Sequence, residues 1–203
     1  MSAPTTPAKA PSNKFSVDFA RVMPHLQLDA DGKAKLADCK HSVEALDRLE
    51  EAGLLDAAVR LVAHALPPRE AVWWACACSR HTAPSGADPQ AETAVREAAE
   101  EWVRRQTDDL RRAAMKEAEK TGFSSPEAWA AVAAFWSGDT MAPPEAPKVP
   151  PQPHFPGLAV AGSVALAAVR GQAVKREARL KRFLASARDI AIGGAGRLDA
   201  ETD

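Results

Sequence analysis

The stretch Leu54-LDAAVRLVAHALPPREAVWWACACSR-His81 decides the fold. Leu55, Ala58, Val59, Val62 and Leu66 recur at three- and four-residue spacing, which marks one face of a helix turned to a core. Pro67-Pro68 cannot continue that helix, and Pro68, which has no amide proton, suits the first turn of the next. The second run, Arg69 to His81, carries Trp73-Trp74 and returns beside the first as an αα-hairpin. No internal repeat of this unit is evident in the rest of the chain.

Working outward, Ser42 is placed to cap a helix beginning Val43-Glu44-Ala45-Leu46, and Gly53 is placed to end it or pinch it. After the proline- and glycine-bearing loop Thr82 to Pro89, one long helix is expected from Gln90 to about Lys120. Its seam is Val95, Ala98, Ala99, Trp102, Leu110 and Ala113. Glu92–Arg96, Glu100–Arg104, Glu101–Arg105 and Asp108–Arg112 lie four apart, acid first, each worth ~0.3 kcal/mol. Ser125-Pro126-Glu127 opens a further helix with Trp129, Val132, Ala133 and Trp136 on one face, closed by Gly138.

Composition agrees with a helical chain. Of 203 residues, 44 are alanine and none is tyrosine, which excludes an all-β fold. Basic and acidic residues number 26 and 27, so no general attraction to nucleic acid or anionic lipid follows. Three cysteines, Cys39, Cys76 and Cys78, do not make a disulfide scaffold and point to reduced thiols and a cytoplasmic setting. The longest apolar run, Leu158 to Val169, falls short of the roughly 20 residues that span a bilayer.

From Pro143 to Pro156, half the residues are proline, and Pro144, Pro147, Pro150, Pro153 and Pro156 recur every third position. Polyproline II has three residues per turn, so these prolines would form one ridge about 43 Å long. It reads either as a stiff spacer or strap laid across the helices, or as a docking segment for an aromatic-lined groove. Beyond it one helix is expected, Leu158 to about Ile192, apolar first and then basic, with seven cations between Arg170 and Arg188 against Glu177 alone.

Chemistry-bearing residues are few. Cys76 and Cys78 are two apart on a helix and face away from each other, so they cannot share a zinc ion. Cys78 and His81 share a face, yet a nucleophilic thiol there needs a lowered pKa. Trp73 and Trp74 split between core and a partly exposed face with Arg80. Glu92, Glu97, Glu100, Glu101, Asp108 and Asp109 read as a solvated acidic face matched by bases on the same helix. No phosphate loop, nucleophile elbow or zinc-protease motif occurs. Neither a catalytic residue, a metal site nor a cofactor is therefore assigned.

The segment Pro67-PREAVWWA-Cys76 with Arg80 and His81, and Ala134-Phe135-Trp136-Ser137-Gly138 leading into Ala142-Pro143-Pro144, resemble an uncharacterised family of small bacterial all-helical proteins. The resemblance spans roughly residues 45 to 190. It implies an accessory or adaptor role associated with type VI secretion loci and assigns no catalytic residue.

The expectation is thus an all-α chain: a disordered tail (1–14), an irregular lead-in (15–41), an antiparallel helical-bundle body (42–138), a proline-rich linker (139–157), a long C-terminal helix (158–192) and a flexible tail (193–203). The body is expected to stay folded without residues 143–203. The function expected is non-enzymatic protein–protein interaction. Its contact groups are Trp73, Trp74, Arg80, His81, Trp136, Pro144, Pro147, Pro150, Arg176, Arg179 and Arg182. The partners expected are proteins, with no small-molecule substrate. The alternative is binding of nucleic acid or an anionic membrane surface through the basic helix.

Overall fold

The computed structural model describes residues 13–82 and 88–201. The expected disordered tail lies mostly outside them, as does most of the loop Thr82 to Pro89. Among the described residues every regular element is a helix. A short N-terminal layer holds α1 (Phe19–Val22), the 3-10 turn Met23–His25 and α2 (Ala30–Lys35). Phe19, Val22 and Leu26 from this layer are buried, so the lead-in belongs to the core.

The αα-hairpin is present as α4 (Leu55–Ala65) and α5 (Pro68–His81), with Pro68 in the first turn of α5. It is preceded by α3 (Ser42–Glu51). Ser42 is the first residue of α3 and not its cap, which is His41. Gly53, at φ +70, supplies the left-handed step that turns the chain into α4.

The expected long helix of 90–120 is two helices, α6 (Pro89–Arg105) and α7 (Asp108–Lys120). Gln106 adopts the left-handed conformation (φ 52) and ends α6. The Thr107 side chain accepts from the Leu110 amide and starts α7, whose first turn carries Asp108 and Asp109. The run of acid–base pairs conceals this break, because Glu101–Arg105 (2.8 Å) and Asp108–Arg112 (2.5 Å) form on either side of it.

Ser125 caps α8 (Pro126–Trp136) by accepting from the Ala128 amide. The expected single C-terminal helix is also two, α9 (Phe155–Val169) and α10 (Arg176–Ala191), bent by 118°. Gly171, at φ +67, lies in the bend. No single described helix is long and apolar enough to cross a membrane.

The centre of the molecule is α9. It packs on α8, α4 and α5, and α8 in turn packs on α5, α6 and α7. The two helices meet through small residues. Ala128, Ala130, Ala131, Ala133 and Ala134 are buried on α8, and Gly157, Ala159, Ser163, Ala167 and Ala168 on α9. Small side chains let the backbones approach, and Ser163 Oγ donates to the Pro126 carbonyl at 2.7 Å across the interface. Residues 158–169 therefore pack as the apolar run requires, but as the core of the body and not as an attachment to it. A fragment ending at residue 142 would expose the inner faces of α4, α5 and α8.

The end of the chain is likewise not a loose tail. Ser186 Oγ donates to the Gly196 carbonyl at 2.7 Å, and the Glu201 amide donates to the His81 carbonyl at 2.7 Å. Residues 194–201 form a strap along α10 and across the end of α5.

Candidate functional site: an aromatic–cation face, a proline loop and a basic cavity

The α5 residues divide sharply. Trp74 is fully buried, and its Nε1 donates to the Phe183 carbonyl at 2.8 Å. His81 is 2 % exposed, and its Nδ1 donates to the Asp199 carbonyl in the strap. Both expected contact residues are thus core residues: the strap and α10 cover the face of α5 that carries them. Trp73 is half-buried, its Nε1 donating to the Ala195 carbonyl at 2.8 Å. The Arg80 guanidinium lies over its ring at 5.4 Å and also pairs with Glu100. Trp73 borders a cavity of about 370 Å3 with Arg69, Glu70, Val103 and Arg104.

Cys76 and Cys78 are fully buried, and burial pushes both thiols up, away from the reactive thiolate. Among the described residues no group of three or more His, Cys, Asp or Glu side chains is arranged to hold a metal ion.

The proline segment does not extend as one ridge. It folds back at Pro143 to Ala146, where the Ala146 amide donates to the Pro143 carbonyl at 3.1 Å. The Met141 amide then donates to the Val149 carbonyl at 2.7 Å, and Thr140 Oγ1 accepts from the amides of Ala142 (3.1 Å) and Val149 (2.9 Å). A Lys148–Asp139 ion pair at 2.5 Å spans the same neck. Pro156 belongs to α9 instead. The result is a closed loop on which Pro143 to Pro150 are all exposed, with Pro144, Pro147 and Pro150 on its surface. Half-buried Trp136 packs on Phe155 (ring centroids 5.0 Å apart) at the start of α9, where the linker ends.

The basic residues of α10 serve mostly inside the molecule. Arg176 pairs with Asp56, and Arg188 with Glu50 and Asp47. Arg179, only 4 % exposed, binds Glu201 and the carbonyls of Ala168 and Arg170. Arg182 remains exposed at the mouth of a cavity of about 680 Å3 formed with the strap.

Two polar clusters escape a reading of the sequence. In the first, Glu127 is fully buried and binds Arg170, which also lies 3.8 Å from Glu92. Glu92 and Glu100, expected on a solvated face, are 8 % and 6 % exposed, because α6 turns them toward Arg170 and Arg80. In the second, His25 stacks between His64 (4.7 Å) and His154 (4.9 Å). Burial first, then the charges of His25, His154 and Arg60, hold the His64 imidazole down to about 4, and burial also lowers His25. These partners come from distant segments, and no local spacing announces them.

An all-α chain with a closed proline loop and an internally neutralised basic helix defines the class. The chain belongs to a family of unknown function, DUF6931, whose model matches residues 45–191. No curated protein and no solved structure matches the chain.

Proposed function

We propose that this protein is a non-enzymatic adaptor that docks on a protein partner through its proline loop. The observation that carries this reading is the closed neck at Thr140, Met141 and Val149, which presents Pro143 to Pro150 to solvent in one fixed shape. Proline loses little conformational freedom on binding, and a loop already closed loses less. The partner chemistry that suits it is an aromatic-lined groove. Trp73, which borders the 370 Å3 cavity, and Arg80 over its ring are both half open and supply an anchor of the kind common at interfaces. The resemblance to small bacterial proteins of type VI secretion loci suggests a secretion assembly as the setting, and a cytoplasmic one.

Nucleic-acid or membrane-surface binding by α10 has less support, since Arg176, Arg179 and Arg188 are already paired with acids of this chain.

A photo-crosslinking residue at position 147, with position 119 as control, tests the adaptor reading in the native cell. The expected result is a discrete adduct from 147 only, lost when Thr140→Val opens the neck. Equal labelling from both positions, or none from 147, refutes docking by the loop.

A further inference from the structure

A cavity lies between α10 and the strap, and its lining is mostly cationic. Lys175, the N-cap of α10, and Arg179 and Arg182 within it are spaced four and three apart, and all three line the cavity. Arg197 from the strap meets them, so four cations line a space of about 680 Å3 whose carboxylates are Asp199 and Glu201.

The charges are unequally used. The Arg179 guanidinium is buried and grips Glu201, with Nη2 at 2.5 Å and Nε at 3.2 Å from one carboxylate oxygen. Lys175 Nζ stands 3.7 Å from the same oxygen. Arg182 and Arg197 are exposed and make no ion pair among the described residues. Behind them lies His81, whose Nε2 is buried and has no hydrogen-bond partner among the described residues. A cavity with a buried, anchored guanidinium and two exposed ones that make no ion pair among the described residues has the donor set of an anion site.

We propose that this cavity binds a phosphoryl group and that Glu201 holds its place in the unliganded chain. A carboxylate has two oxygens in one plane and one charge. A phosphomonoester has three terminal oxygens and about −2 charge, so it can take the Arg179 fork while also reaching Lys175, Arg182 and Arg197. The exchange frees the Glu201 carboxylate and leaves the end of the strap held by its backbone bonds to His81. The site is separate from the proline loop and does not depend on the adaptor reading.

The test is calorimetric titration of the full chain with inorganic phosphate, against sodium chloride at matched ionic strength. Saturable binding to phosphate alone is expected. Arg182→Gln with Arg197→Gln, two exposed positions whose loss leaves the fold intact, should weaken it by about ten-fold or more. Glu201→Gln removes the competitor and should tighten it, by about ten-fold. Circular dichroism checks that each variant is folded, and the Arg182/Arg197 variant decides the matter if Glu201→Gln does not fold. Heats equal to the chloride control, or saturable binding that neither variant changes, overturn the proposal. Sedimentation with phosphatidylcholine vesicles, with and without phosphatidate, identifies the source. Pelleting that free phosphate suppresses assigns the phosphoryl group to a lipid headgroup, and phosphate binding without pelleting assigns it to a soluble ester.

Discussion

His64, half-buried, and Glu127, fully buried, are ionisable groups with different consequences. The folded chain withholds a proton from His64 until about pH 4, whereas an unfolded chain takes it up near 6.5. Between these values the unfolded state binds more protons, so stability is complete above pH 6.5 and falls as the pH drops toward 4. After allowance for solvent screening of a half-buried side chain, the loss is on the order of 2 kcal/mol. Urea unfolding at pH 7.5, 6 and 5 should show this slope, and His64→Gln should flatten it. Glu127 is the counterpart: Glu127→Ala takes the fully buried carboxylate from Arg170, at a cost of about 3–5 kcal/mol. Glu127→Gln keeps the shape and should cost less. Denaturant midpoints of the two variants give the order directly.

Among the elements, α9 is the most sensitive to added volume. A β-carbon at Gly157 would run into the His64 ring, which the stacked His25 prevents from moving aside. Gly157→Ala should therefore destabilise by about 1–3 kcal/mol despite alanine's better helix propensity. Pairing it with His64→Ala should recover part of that loss, as thermal melts would show. The sequence makes α4, α5 and α8 legible, because their apolar spacing, Pro68, and the Ser125 cap with Pro126 act within one or two turns. It misses the break at Gln106, where the acid–base pairs run on through the turn, and the one at Gly171, where a glycine marks the bend but the helix-forming residues on both sides hide it. Trp74 and His81 are missed as core residues for a related reason. What covers them, Phe183 and Asp199, lies over a hundred residues away. The proline period is visible, but the neck bonds of Thr140 that fold it back are not.

At the scale of the molecule, chain order and spatial order disagree. The helix in the middle, α9, is made late in the sequence, and the last described residues close over α5. Removing residues 143–203 should leave a chain without a cooperative melting transition. Removing only 194–203 should leave a folded protein weakened by about 3 kcal/mol, since buried Arg179 then loses its carboxylate. Calorimetry of the two truncations separates core from strap. The strap also touches one indole directly, through the hydrogen bond from Trp73 Nε1 to the Ala195 carbonyl. Lifting the strap would bare that ring to water and shift its emission to longer wavelength. The protein thus carries its own optical reporter: the difference between its fluorescence spectrum and that of Trp73→Phe follows strap release in real time, with no label attached.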